Sequence, residues 1–160
     1  MNAELIPEWF QDNFVNVEQL IIDMYSKILP AFESGRWTPD HWLDQIDPDP
    51  MLTVIRLPGG HVDWDKGYDE CLAQISIVTS SPDDSMDAMS VVRGTLLPIS
   101  GFKFTMEDGF TAYIHGAAES SGPQMLTAQQ QLDVRVVPAT FRIRVGLKSR
   151  ARYEQIIRSL

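Results

Sequence analysis

Residues 70–97, E-C-L-A-Q-I-S-I-V-T-S-S-P-D-D-S-M-D-A-M-S-V-V-R-G-T-L-L, decide the fold of this chain. In the first part of the stretch every second residue is apolar, while the residues between them are mixed. The apolar set is Cys71, Ala73, Ile75 and Ile77. This alternation is typical of a strand that is covered on one face. We therefore predict a central strand here.

The second part of the same stretch has the features of a helix start. Ser81 is a good N-cap residue, Pro82 suits the first helical position, and Asp83 and Asp84 favour the positive end of the helix dipole. Pro98 ends the helix. A stripe with helical spacing follows the cap, and it consists of Met86, Met89, Val92 or Arg93, and Leu96, with Ala88 and Val91 beside them. Nothing in this strand–helix unit suggests chemistry.

A second helix precedes the unit and ends before Pro30. Asn16 and Gln19 form a capping-box pattern at its start. Its apolar face is made of Val17, Leu20, Ile21, Met24 and Ile28. Residues 30–50 then become rich in proline, which predicts a loop with Trp37 and Trp42 as its large anchors.

The central strand is predicted to be the second arm of an antiparallel hairpin. Residues 51–57 form the first arm, Pro58-Gly59-Gly60 form its turn, and residues 61–69 form a long tip. After Pro98 we expect a polar passage and then a strand at 110–116.

Three further segments complete the chain. Residues 117–131 are poor in apolar side chains and predict a long connector. Residues 132–147 predict a strand that is bent, bulged or at an edge at Pro138, because proline cannot donate to a ladder. Residues 151–160 predict a short basic helix, which must dock on something, with an apolar stripe of Tyr153, Ile156, Ile157 and Leu160.

Together these elements predict an α+β fold. We expect one layer of antiparallel or mixed sheet with helices mainly on one face, in the order α-β-β-α-β-β-α. The length of 160 residues fits a single domain, residues 1–160, and no internal repeat is present. No leader-like or membrane-spanning apolar run occurs, so we expect neither export nor membrane insertion. Cys71 is the lone cysteine and is expected in the core.

The net charge of −9 is distributed unevenly. Residues 1–134 hold 6 Lys or Arg and 21 Asp or Glu, whereas residues 135–160 hold 7 and 1, so the balances are −15 and +6. Either the basic end folds back onto its own acidic body, or it reaches an acidic surface on another subunit. The acidic body makes specific binding of nucleic acid a poor fit. The basic residues are Arg135, Arg142, Arg144, Lys148, Arg150, Arg152 and Arg158.

Two loops carry the residues that an enzyme or metal site would need. His61 with Asp63 and Asp65 is the best catalytic candidate, although an exposed hairpin tip rarely holds groups rigidly enough for acid–base catalysis. The run of Asp44, Asp47 and Asp49 fits a solvated acidic loop better than a metal or sugar-nucleotide site, because no second ligand motif completes it. We therefore predict no catalytic residue, no metal and no cofactor.

The order and spacing of the elements resemble a known family. The chain has, in order, a cap helix, a strand ending in Leu57-Pro58-Gly59-Gly60, a long hairpin tip, the central strand, a helix entered by Ser80-Ser81-Pro82-Asp83-Asp84 and two late strands. This order resembles the tail-terminator family of long non-contractile-tailed bacteriophages, including phages of actinobacteria. The resemblance covers residues 17–147. The segment 30–50 and the C-terminal helix have no counterpart in it.

The resemblance implies a structural virion protein and not an enzyme. Six copies would form a homo-oligomeric ring at the tail–neck junction, after assembly in the host cytoplasm. The ring would end polymerisation of the major tail tube protein and dock the head-completion or neck protein, while DNA passes through the bore without specific binding. Two alternatives stay open, namely another neck or tail-completion component and a small α+β enzyme or ligand-binding domain that uses His61, Asp63 and Asp65.

Ring formation requires each subunit to present two different complementary surfaces. The basic residues named above are the candidates for the subunit or partner interface. The candidates for acidic loops that face a partner or the bore are Asp44, Asp47, Asp49, Asp63, Asp65 and Asp69.

Overall fold

A computed structural model of the chain describes residues 5–39, 42, 44–123 and 135–160. Six strands form one mixed sheet in the spatial order β1-β2-β3-β6-β5-β4. All neighbours are antiparallel except β1 and β2. The strands are β1 Glu33–Gly35, β2 Met51–Asp63, β3 Tyr68–Val78, β4 Ser100–Thr105, β5 Thr111–Ser121 and β6 Val136–Gly146, and the helices are α1 Val17–Ile28, α2 Pro82–Leu96 and α3 Glu154–Arg158. The predicted α+β class is confirmed.

The core lies between one face of this sheet and the helices α1 and α2. The predicted apolar face of β3 is buried completely, and its four residues are at most 1% exposed. Cys71 pairs in register with Ile143, and Ala73 pairs with Phe141. Each large apolar side chain buried here contributes about 1.5–3 kcal/mol. The helices therefore cover one face, as predicted.

Both long helices start at the predicted caps. The side chain of Asn16 accepts a hydrogen bond from the Gln19 N–H, and that of Ser81 accepts one from the Asp84 N–H. Two predicted core positions are wrong, because Ile28 is 37% exposed at the last turn of α1 and Val91 is 40% exposed on the outer side of α2. None of the described helices is long and apolar enough to cross a bilayer.

The hairpin of β2 and β3 differs from the prediction. Strand β2 continues to Asp63, and Pro58-Gly59-Gly60 forms a bulge within the strand, where the register shifts between Leu57 and His61. The real turn follows Asp63, whose carbonyl accepts from the Gly67 N–H at 2.8 Å. Gly60 has φ +79°, and a Cβ there would lie 2.0 Å from the Glu70 carbonyl oxygen. Only glycine allows this close approach of the two strands.

Two strands were not predicted. Residues 100–105, expected to be a polar passage, form β4, and the short β1 lies within the predicted loop. Strand β5 also continues to Ser121, into the predicted connector. Its pairing with β6 supplies the backbone hydrogen bonds, so the weak apolar character of residues 117–121 does not end it. The rest of that connector, 124–131, lies outside the described residues, while Gly122 and Pro123 are in neither helix nor strand.

Strand β6 fits the pattern from Val136 onward, and residues 132–134 of the predicted strand lie outside the described part. Pro138 pairs with Ser76 of β3, whereas the pairing with β5 reaches only Thr140. At Pro138 the strand is therefore at a local edge of the described sheet, which is one of the predicted alternatives.

The C-terminal helix is shorter than predicted. Helix α3 has five residues and buries none of them, and Ile157 and Leu160 are 62% and 91% exposed. Residues before the helix dock: the Tyr153 ring lies 5.3 Å from that of Trp9, its hydroxyl accepts from the Gln11 N–H at 2.8 Å, and the Ala151 carbonyl accepts from Asn13 Nδ2 at 3.1 Å.

Candidate assembly surfaces

The face of the sheet opposite α1 and α2 carries a cluster of charges around Glu70. Strand alternation places Glu70 of β3 on this outer face beside Arg144, its register partner on β6, and Arg142 two residues away. The same register places His61 of β2 across from Glu70. Four polar side chains from three adjacent strands therefore meet on the outer face.

The geometry of this cluster is unequal. Arg144 Nε donates to Glu70 Oε2 at 2.5 Å, whereas Arg142 Nε and His61 Nδ1 lie 3.6 and 3.7 Å from Glu70 Oε1. The Glu70 side chain is only 8% exposed, while the two guanidinium side chains are half exposed. The hydrogen bond from Arg144 lowers the pKa of Glu70 below its usual value of 4.5. The carboxylate is thus held ionised between two cations.

Aromatic rings extend the cluster along the outer face. The Arg144 guanidinium lies 5.0 Å from the centre of the Tyr68 ring, a cation–π distance. The Tyr68 ring is followed by His115 at 5.8 Å, and His115 meets Tyr113 edge to face at 4.6 Å. Arg144 is thus in contact with both the Glu70 carboxylate and the Tyr68 ring.

A shallow depression of about 310 Å³ lies beside these charges. Its β5 side is formed by residues 116–118, of which Gly116 and Ala118 lie on the outer face beside Arg144 and Arg142, while Ala117 packs against the core. We call it the cationic depression, and it is lined by Glu70, His115, residues 116–118, Arg142 and Arg144. The lining thus includes two guanidinium groups and one carboxylate.

A second charged surface precedes β2. Residues 44–49, which we call the acidic segment, expose Asp44, Asp47 and Asp49. Ile46, between these carboxylates, is 100% exposed. The segment is anchored by Trp42, which is 4% exposed and donates from Nε1 to the Asp49 carbonyl at 2.7 Å.

The two surfaces lie at opposite ends of the central strands. The acidic segment leads directly into Met51, which pairs with Val78 at the last residue of β3. Glu70 lies eight residues before Val78 on β3, and Arg142 is opposite Leu72, six residues before Val78, which corresponds to about 27 and 20 Å along an extended strand. The acidic segment therefore does not reach the cationic depression of its own chain.

The remaining predicted basic residues are used locally or stay exposed. Arg135 lies over the Trp42 ring at 5.4 Å, and Lys148 lies over the Phe110 ring at 5.2 Å. Arg150 donates to the Asp65 and Lys66 carbonyls at the β2–β3 turn. Arg152 and Arg158 are exposed in and before α3.

The catalytic candidates are not assembled as the sequence suggested. The carboxylate nearest to His61 is that of Glu70, and Asp63 instead accepts from the Lys66 N–H at 2.9 Å. Asp65 is exposed at the turn. Among the described residues, no three His, Cys, Asp or Glu side chains lie close enough together to hold a metal ion.

Asp69 is not part of an acidic loop. It lies in β3, is 3% exposed, and accepts two hydrogen bonds from Arg56 at 2.9 and 3.0 Å. The expectation that it faces a partner or the bore from a loop is therefore wrong, because a buried carboxylate must be paired within the fold.

Two acidic residues were missed by the sequence analysis. Glu70 organises the cationic depression, and Glu119 of β5 pairs with Arg93 of α2 at 2.6 Å. The pairing of Glu70 could have been expected from the sequence. The residue lies on the mixed face of the predicted strand, two residues before Leu72, and a charged residue at such a position needs a partner on a neighbouring strand. Glu119 lies 26 residues from Arg93, so no local signal linked them.

The comparison with known families covers both charged surfaces. Residues 13–150 match the family model described as phage tail termination protein. No curated protein gives a significant match. The matched range includes every strand, α1 and α2, and it confirms the family that the order of elements indicated. The chain therefore belongs to the phage tail termination protein family, whose members are structural components of the virion tail.

Proposed function

We propose that this protein forms a ring of six copies that caps the tail tube, ends its polymerisation and joins it to the head-completion or neck proteins. The proposal extends the family membership to a specific assembly. Its partners are further copies of the same chain, the major tail tube protein and a neck protein. DNA passes through the bore of this ring without specific binding.

The observation that carries the ring is the pair of unlike surfaces at opposite ends of one rigid sheet. A contact between two different surfaces is heterologous, and it repeats until the rotation closes. The acidic segment and the cationic depression have opposite charges and lie about 20–27 Å apart along β3. Because this arrangement prevents the two surfaces from meeting within one chain, it favours contacts between copies.

The same geometry argues for a structural role over catalysis. Of the predicted catalytic residues, His61 lies near a carboxylate, but that carboxylate belongs to Glu70. Glu70 already accepts a hydrogen bond from Arg144. A carboxylate engaged in this way has its ionised form stabilised and is a poor proton acceptor near neutral pH. The outer-face cluster therefore serves as a binding surface and not as an acid–base pair.

Tube capping is tested by polymerising the purified tail tube protein of the same phage in the presence of this chain. A ring that blocks a tube end acts once per tube, so we expect the mean tube length in electron micrographs to fall at ratios far below one copy per tube subunit. Native mass spectrometry of the chain should show six times the monomer mass. Unchanged tube lengths would contradict capping. Shortening only at equimolar ratios would also contradict it and would indicate that the chain sequesters tube subunits.

A further inference from the structure

The described residues that line the cationic depression include two guanidinium groups but only one carboxylate, that of Glu70. Arg142 and Arg144 share the single carboxylate of Glu70, and only Arg144 is within hydrogen-bond distance of it. Arg142 lies 3.6 Å from Glu70 Oε1, with 55% of its side chain exposed. A guanidinium group has five N–H donors. Arg142 therefore has donors directed to solvent at the rim of the depression.

The shape of the depression adds a second requirement for its ligand. The register of β5 against β6 shifts between Ile114 and Gly116, and the outer-face residues that follow, Gly116 and Ala118, carry no side chain larger than a methyl group. A floor without large side chains accepts an aliphatic side chain beside the arginines. The site thus fits a segment that carries a carboxylate next to an exposed aliphatic residue.

The acidic segment of the chain itself has this chemistry. Ile46 is 100% exposed, and the next residue, Asp47, is exposed as well. The buried Trp42 side chain and the hydrogen bond to the Asp49 carbonyl hold the segment against the fold, so less conformational entropy is lost when it docks. Arg142 is the register partner of Leu72, about 20 Å along β3 from the strand end that follows the acidic segment, which makes the contact intermolecular.

We infer that the acidic segment of one copy docks into the cationic depression of the next copy, with Asp47 paired to Arg142 and Ile46 on the floor of small residues. This inference rests on the proposed ring and assigns its subunit contact. Of the seven basic residues at the C-terminal end, it selects Arg142 as the residue that recognises the neighbour and Arg144 as the residue that positions Glu70. The contact is heterologous, so it excludes a two-fold dimer and generates a ring when the rotation between copies closes.

Site-specific cross-linking tests the contact. An aspartate–arginine pair spans more than the roughly 7 Å between Cα atoms that a disulfide tolerates, so a short bismaleimide is the suitable reagent. The variants Asp47→Cys and Arg142→Cys are made in the full chain, and both positions are exposed. Native Cys71 is 0% exposed, and burial raises the pKa of its thiol to about 11, which keeps it unreactive. Asp65→Cys, at the exposed β2–β3 turn, is the matched acidic control.

We expect covalent dimers when Asp47→Cys is mixed with Arg142→Cys, and none from either variant alone or from Asp65→Cys mixed with Arg142→Cys. The reaction is run with and without tail tubes, and native mass spectrometry is recorded on the same samples. Rings that show no 47–142 product, or an equal product with Asp65→Cys, overturn the assigned contact and leave the proposed function intact. A chain that forms no oligomer under either condition overturns both. Dimers from Asp47→Cys alone indicate a two-fold contact and also overturn the inference.

Discussion

At the scale of single residues, Tyr25 joins the two helices that cover the sheet. Its side chain is 0% exposed, and its hydroxyl donates to the Val92 carbonyl at 3.1 Å and lies 2.9 Å from Thr95 Oγ1. Thr95 also bonds the Val91 carbonyl, so it retains a partner without Tyr25. We expect Tyr25→Phe to cost about 1 kcal/mol of unfolding free energy at pH 7.

The stabilising contribution of the Tyr25 proton is lost at alkaline pH. Burial raises the pKa of Tyr25 from 10.0 to about 12, so the folded state holds the phenolic proton more tightly than the unfolded state. This contribution is complete below pH 10 and is lost as the pH rises to 12, and it amounts to about 3 kcal/mol. Urea unfolding from pH 7 to pH 11 should show that Tyr25→Phe lacks this loss. Tyr113→Phe, at a 38% exposed position, should decline like the wild type because it retains Tyr25.

Glu70 has the opposite pH dependence. Its pKa is lowered by the hydrogen bond from Arg144, so the stabilisation is present above the unfolded value of 4.5 and is lost as the pH falls through the lower folded value. The difference in unfolding free energy between wild type and Glu70→Gln should therefore be largest at neutral pH and shrink below pH 4.5. Asp65→Asn, an exposed carboxylate, serves as the control. A difference that is constant with pH would show that Glu70 acts through packing alone.

At the scale of elements, the bulge in β2 sets the register that brings His61 opposite Glu70. Gly60 and Gly109 both have positive φ, +79° and +88°, but a Cβ at Gly109 meets nothing within 4 Å, whereas one at Gly60 meets the Glu70 carbonyl. Alanine at either site costs about 1–2 kcal/mol of backbone strain. We expect Gly60→Ala to lose about 2 kcal/mol more than Gly109→Ala in urea unfolding, because the strands must separate. Equal losses would mean that the strand contact is easily relaxed.

Some elements could be predicted from local sequence signals, and others could not. Alternation of apolar residues identified β3, and the caps Asn16 and Ser81 placed both long helices correctly, because these signals are local. Pro58-Gly59-Gly60 is a strong turn signal in the sequence. In the structure it is a bulge, because the backbone at Gly60 lies close to Glu70 of the neighbouring strand, a contact that the local sequence does not reveal. In β4 the alternating residues Phe102 and Phe104 are apolar, but the segment is short and closely follows Pro98, so this signal is weak. Residues 100–105 form a strand because they pair with β5.

The candidate site was less accessible from the sequence than the fold. The charge imbalance pointed to the C-terminal end, but it did not distinguish Arg142 and Arg144 from the other basic residues. The distinction comes from register with β3, a non-local property. Arg150, by contrast, bonds carbonyls of its own β2–β3 turn.

At the scale of the whole molecule, the separation of charge along the sheet predicts how association depends on salt. Ion pairs at a partly exposed contact are screened, so we expect ring dissociation, followed by native mass spectrometry or analytical ultracentrifugation, to increase from low salt to high salt. Arg142→Glu should weaken association about tenfold or more at low salt, which corresponds to about 1.4 kcal/mol or more. Arg158→Glu makes the same change of charge on exposed α3 and should have little effect.

Charge exchange between the two surfaces distinguishes a specific contact from a general attraction. If Asp47 of one copy meets Arg142 of the next, Asp47→Arg alone should weaken association as Arg142→Glu does, since each places like charges opposite each other. The double variant restores an opposite pair at every contact of the ring and should recover most of the affinity, because each subunit contributes both partners. Urea unfolding of all three variants controls for damage to the fold. The double variant keeps the net charge at −9, so a change in net charge does not affect its association. If it associates no better than the single variants, the two charges do not face each other.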